Sequence, residues 1–153
     1  MNKENMLSIN VVNFNKAILK FDDLIVNGFI GINGSSENKA EGDKKTPIGE
    51  FDIGLIFGTH NREELNLSDS LKYIRITDSM YWVCDSYSRY YNQLVDSTFE
   101  RKEWRDAEHL IDYQKEYEYA IEIKTNPYNI PNKGSAIFLH CGNSNTSRLC
   151  CNR

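Results

Sequence analysis

A mainly β domain with a single amphipathic helix is the fold this sequence predicts, and three observations carry that expectation. Short runs rich in β-branched and aromatic residues recur along the chain, separated by Asn, Asp and Gly. Helical spacing of apolar residues occurs once, between residues 100 and 118. With 153 residues, 40% hydrophobic and 26% charged, the chain has the size and composition to bury one core, so a single domain over 1–153 is expected.

Leu7 to Phe14, Ala17 to Phe21 and Leu24 to Ile32 read as three strands of an antiparallel meander. Gly34 to Lys45 is polar, Gly-bearing and aperiodic, which predicts a solvated loop. Glu50 to Ile56 resumes an extended pattern, and a second polar loop follows around His60 to Asp69. Lys72 to Thr77 alternates as a strand, with Tyr73, Ile74 and Ile76 supplying bulk, and Met80 to Cys84 is expected as its partner. Trp104, Ala107 and Ile111, spaced among Arg, Lys, Glu and Asp, predict the helix over Glu100 to Glu118. Tyr119 to Lys124 and Ser135 to Cys141 are the last strands expected. The loop between them, Asn126 to Gly134, holds Pro127 and Pro131, which bar a helix.

A net charge of −4 and the lack of any basic run argue against nucleic acid or an anionic membrane as the main partner, since both require clustered Lys and Arg. No stretch approaches the roughly 18 apolar residues of a membrane span. Met1 to Asn10 carries no apolar core of a signal peptide, so no export signal is expected in the chain as written. Nothing in the sequence specifies an oligomeric state. A chain of this length hardly needs disulfide staples, so Cys84, Cys141, Cys150 and Cys151 are read as thiols. Three of these four fall within the last thirteen residues, beside His140, which directs any chemistry to the C-terminal end.

Ser135 to Leu139 delivers His140 at a strand end, and Gly142 to Asn145 turns the chain back toward Thr146 and the cysteines. Thiol chemistry needs such an imidazole, because a cysteine with an ordinary pKa of about 8.5 becomes a useful thiolate beside a histidine. His140 would act as base and then acid, with Cys150 as nucleophile. Two other accounts stand beside this one. A histidine after four apolar residues is often a partly buried side chain with one hydrogen bond. His140, Cys141, Cys150 and Cys151 are also competent zinc ligands, although the adjacent Cys150 and Cys151 depart from the usual ligand spacing. Cys84, after Tyr81, Trp82 and Val83, is expected to be packed rather than reactive. A second constellation, Gly42-Asp43-Lys44-Lys45-Thr46-Pro47-Ile48-Gly49-Glu50-Phe51, is on physical grounds a turn feeding a strand. Its glycines permit unusual dihedrals, Pro47 fixes one, and Asp43 can accept nearby amides.

Together these segments resemble the L,D-transpeptidase catalytic domain, also called the YkuD domain. Gly42, Asp43, Lys45, Thr46, Pro47, Gly49 and Phe51 match its early Gly-Asp-x-Lys-Thr-Pro-x-Gly-x-Phe segment. His140 with Thr146 matches the start of its second element, a strand ending in histidine followed by Ser/Thr-x-Gly-Cys. Tyr81-Trp82-Val83, Tyr90-Tyr91-Asn92 and Gly134 to Leu139 are also similar, so the resemblance spans roughly residues 7 to 147. It implies a two-sheet β-sandwich with one helical insertion around residues 100 to 118. The activity it implies is acyl transfer on peptidoglycan stem peptides through a cysteine thioester, outside the membrane and without a cofactor. His140 and Cys150 would then be catalytic, with Gly142, Thr146 and Ser147 lining the substrate.

The chain departs from the family after Ser147. Arg148-Leu149-Cys150-Cys151 stands where Gly-Cys and an apolar strand belong, so the nucleophile is out of register by one. One surplus base after the Ser147 codon would account for this, because the codons of Cys150, Cys151 and Asn152 then shift to Val or Ala, Val or Ala, and Ile or Thr. The expectation is therefore a slipped frame that has lost the nucleophile and the final strands. The competing account is an intact ending that uses Cys150 at a looser turn.

Overall fold

The computed structural model describes residues 6–142 and, as backbone, 150–151. In chain order the strands are β1 (Ser8–Asn13), β2 (Lys16–Phe21), β3 (Leu24–Phe29), β4 (Ser35–Ser36), β5 (Thr46–Pro47), β6 (Ile53–Gly58) and β7 (Tyr73–Arg75). They continue as β8 (Met80–Val83), β9 (Leu94–Asp96), β10 (Ala107–His109), β11 (Tyr119–Ile123), β12 (Phe138–Cys141) and β13 (Cys150–Cys151). The protein is mainly β, and among the described residues no helix reaches seven residues.

The expected meander is present: β1, β2 and β3 pair antiparallel in sequence order. Alternation along β2 buries Ala17 and Leu19 and leaves Lys16, Ile18 and Lys20 outside. These strands form one end of an eight-stranded sheet in the order β1-β2-β3-β13-β12-β11-β6-β7. A three-stranded sheet, β10-β8-β9, carries Trp82 on its middle strand. The two-residue strands β4 and β5 make a parallel pair.

Two expectations are corrected. The segment Glu100 to Glu118 is not a helix: it runs irregularly to β10 and then through short 3-10 turns at Leu110–Tyr113 and Glu116–Glu118. Tertiary pairing overrides the helical spacing here. Ala107, Glu108 and His109 ladder against Val83, Trp82 and Tyr81, and the Asp106 carbonyl accepts the amides of Cys84 and Asp85. Trp104 packs across Tyr81 and Tyr90 instead of lining a helix face. The second correction concerns Tyr73–Arg75, which pairs parallel with β6 and not with Met80–Val83. The latter is instead the central strand of the small sheet.

The two larger sheets meet through aromatic side chains. Phe57 from β6 lies 5.0 Å from Phe138 of β12, edge to face, and Trp82 lies 4.8 Å from Phe138 in the same manner. Tyr117 closes the group at 5.6 Å from Phe138. All four are essentially fully buried, and Ala120, Leu110 and Ile76 fill the space between them. Edge-to-face contacts of this kind add about 0.5–1.5 kcal/mol per pair beyond the area they bury.

A polar side chain fastens this apolar contact. Asn92 takes the left-handed conformation, φ 57°, which Asn tolerates better than most residues. Its Oδ1 accepts the Trp82 indole N–H at 3.1 Å and the Ala136 amide at 3.2 Å. Its Nδ2 donates to the Asn126 carbonyl at 3.1 Å and to Asn129 Oδ1 at 3.3 Å. Asn92→Ala is expected to strand the indole and amide donors and lower stability by about 2–4 kcal/mol, read as a fall in the urea midpoint with unchanged slope.

Candidate functional site

The site is built on the last residues of β12. Alternation turns Phe138 and His140 into the core and leaves Leu139 and Cys141 half-buried. His140 is 3% exposed. Its Nδ1 lies 2.6 Å from the carbonyl oxygen of Cys141, and since a carbonyl only accepts, Nδ1 carries the proton. The basic nitrogen of the neutral ring is then Nε2. Tyr117 stands edge-on to the imidazole at 5.5 Å and donates its hydroxyl to Glu108 Oε2 at 2.6 Å.

Strand β13 enters the large sheet between β12 and β3. It runs parallel to β12 with His140 opposite Cys150 and Cys141 opposite Cys151, and antiparallel to β3 with Cys150 opposite Phe29. Residues paired across a ladder stand about 4.8 Å apart. The sequence-nominated histidine and cysteine are thus register partners on neighbouring strands. Gly142 follows β12 directly and is half-buried. Thr146 and Ser147, and with them Arg148 and Leu149, lie outside the described residues.

The 42–51 segment folds back onto the chain just beyond β3. Thr46 Oγ1 accepts the Gly31 amide at 2.8 Å, Asn33 donates its amide to the Lys44 carbonyl, and Ile48 donates to Ser36. The approach demands glycine at position 31, where a Cβ would lie 2.4 Å from the Lys44 carbonyl oxygen. Because β3 also borders β13, this segment buttresses the strand that carries Cys150. Asp43 is the local organiser. It accepts the amides of Ala40 and Lys45, each at 2.9 Å, and pairs with Lys39 at 2.5 Å. Burial pushes its carboxyl up, but the amides of Ala40 and Lys45 and the Lys39 ammonium outweigh burial and hold it below the usual aspartate range.

Farther along the same chain, Tyr91 donates its hydroxyl to Glu41 and accepts the Gly134 amide at 3.0 Å, which ties the loop before β12 to the loop before the motif. Burial, followed by the Glu41 carboxylate, drives the Tyr91 phenol strongly upward. Cys84 behaves as expected of a packed thiol. Burial first and the Glu108 charge second push it up to about 12. Among the described residues no three His, Cys, Asp or Glu side chains cluster as a metal site, and no helix is long and apolar enough to cross a membrane.

A shallow cleft of about 340 Å³ opens on the His140 face of the large sheet. Leu55, Trp82, Gln93, Glu122, Lys124 and Asn129 are among its lining residues, and His140 is not. The ladder sets the offset between them, because Ala120 pairs with His140 and Glu122 with Phe138. Sequence reasoning passed over Glu122, Lys124 and Gly54; the signal for them was a glycine inside an otherwise apolar strand, a mark of a β-bulge. No known protein family matches the chain, and no curated protein or solved structure matches it either.

Two outcomes are expected from these environments. Asp43 has a folded pKa below its unfolded one, so its contribution is complete above the ordinary aspartate range and is lost as pH falls through the lowered value. The urea midpoint of Asp43→Asn should therefore lie below that of the parent at about pH 6, and the gap should narrow toward about pH 3. Cys84 should resist iodoacetamide at about pH 8 in the native protein and become labelled only in denaturant, followed by peptide mass spectrometry.

Proposed function

We propose that this chain is an L,D-transpeptidase-like acyltransferase of peptidoglycan stem peptides, working outside the membrane, with Cys150 as nucleophile and His140 as the proton carrier. The observation that carries the proposal is the register of His140 with Cys150 on adjacent parallel strands. Three features support it. The Cys141 carbonyl fixes the His140 tautomer, the family-like 42–51 segment abuts the end of β3, and Tyr91 and Asn92 of the family-like 90–92 segment anchor the approach to β12.

The chemistry follows from the thiol and the imidazole alone. His140 takes the thiol proton, and the thiolate attacks the carbonyl of the third residue of a stem tetrapeptide. The C–N bond to the terminal D-residue breaks, that amine leaves with the proton from His140, and a thioester remains. An amine from a second stem then attacks the thioester and gives a proton to His140, the C–S bond breaks, the departing thiolate takes that proton back, and an amide cross-link is formed. Backbone N–H groups before the nucleophile would hold the oxyanion, which is where Arg148 and Leu149 differ from the glycine of the family.

The test is incubation with a purified disaccharide tetrapeptide, followed by intact-mass and peptide mass spectrometry. A thioester adduct on the Cys150 peptide, lost in Cys150→Ser and formed at least about a hundredfold more slowly in His140→Ala, is the expected result. Cross-linked dimers as product identify a transpeptidase, and a shortened tripeptide identifies an L,D-carboxypeptidase. Activity that survives in the double variant Cys150→Ser/Cys151→Ser would sink the assignment of the thiol. Peptide binding without any adduct would make the chain a non-catalytic peptide-binding remnant, as the missing glycine favours.

A further inference from the structure

The cleft on the His140 face contains two opposite charges, Glu122 and Lys124, that form no ion pair with another described residue. Strand β6 is bulged opposite Glu122: Ile56 pairs with Ile121 and Ile53 with Ile123, so Gly54 and Leu55 together face one residue of β11. The bulge turns both toward the same side. Over Gly54, the point a Cβ would occupy lies 2.0 Å from Glu122 Oε2 and 3.0 Å from Lys124 Cε. Glycine alone leaves room for the carboxylate and the lysine stem to lie side by side there.

Glu122 Oε2 accepts the Leu55 amide at 2.9 Å, which satisfies the donor that the bulge removes from the ladder. That bond accounts for one carboxylate oxygen. Neither Glu122 nor Lys124 forms an ion pair with another described residue, although their side chains converge on the same glycine. Around them the cleft offers one more donor and one more acceptor. Asn129 uses its Oδ1 toward Asn92, which leaves its NH₂ as the donor, and Gln93 uses its NH₂ toward Arg89, which leaves its Oε1 as the acceptor. Leu55 and Trp82 add apolar wall.

We propose that this cleft binds the zwitterionic head of an amino acid, with its ammonium against Glu122 and its carboxylate against Lys124. An anion or a cation alone would meet one partner and one like charge, whereas a group bearing both signs on one carbon satisfies each. The volume holds such a head with a chain of several carbons along Leu55. The inference goes beyond the thiol chemistry and does not depend on it.

The probe is norleucine, titrated calorimetrically against the whole chain, with hexanoate and pentylamine as the same skeleton lacking the ammonium or the carboxylate. Norleucine is expected to saturate one site in about the millimolar range, with both single-charge analogues at least about tenfold weaker. Lys124 is exposed, so Lys124→Met is the variant that removes the cation without touching the core, and it should weaken norleucine at least about tenfold while the thermal midpoint holds. Glu122→Gln keeps an oxygen for the Leu55 amide and should weaken it comparably. Cys150→Ser should bind as the parent does, which separates this result from any failure of the acyl-transfer assignment. Equal binding of all three probes, no saturation by norleucine, or unchanged binding in Lys124→Met would each overturn the proposal.

Discussion

The structure depends on the four hydrogen bonds of Asn92. Apolar contact between the sheets through Phe57, Trp82 and Phe138 is strong but undirected, and it could be satisfied by many small rotations of one sheet over the other. Asn92 removes that freedom. It binds the Trp82 indole of the small sheet, the Ala136 amide just before β12, and the Asn126–Asn129 loop at once. Asn126 extends the tie inward, accepting the Ile130 amide and donating to the Ile130 and Gly134 carbonyls. With both ends of the Asn92 and Asn126 amides paired, this polar network fixes one arrangement. The position of His140 follows from it, because β12 can only start where Ala136 is held.

Ala136 itself records the constraint. It is buried and adopts φ 54°, a conformation that disfavours any residue with a Cβ. The neighbouring Gly134 also has positive φ, with its amide held by the Tyr91 hydroxyl. Two positive-φ residues two positions apart bend the chain sharply into the strand. Their conformational cost is offset by the hydrogen bonds that converge there from Tyr91 and Asn92, both contributed by the turn that links β8 to β9.

Much of this was legible in the sequence, and what was not has identifiable causes. The meander could be read because β-branched runs alternate between clear turn residues, and β11 and β12 because proline and glycine punctuate the loop between them. The closeness of His140 to a cysteine could be read from their concentration near one strand end. The helix at 100–118 failed because three apolar residues at helical spacing cannot reveal that the earlier strand Met80–Val83 will claim the same backbone. The β6 to β7 pairing was equally hidden, since a parallel partner lies outside any local pattern and the nearest strand in sequence was the wrong one. Glu122 and Lys124 read only as charges on a strand. Their convergence depends on a bulge in β6, more than sixty residues away.

That bulge connects the fold to the cleft. Along β11, Ala120 marks the pleat of His140 and Glu122 the next pleat on the same face, about 7 Å away. In an uninterrupted β6, Gly54 would face the opposite side of the sheet and a larger residue could occupy the position facing Glu122. One extra residue in β6 brings glycine round to that face, leaves the Leu55 amide for Glu122 to bind, and gives the carboxylate a fixed orientation. Sheet register therefore sets both features by the same rule: it brings Cys150 opposite His140 at one end of β12, and at the other end a local break in register makes the space in which Glu122 and Lys124 lie together.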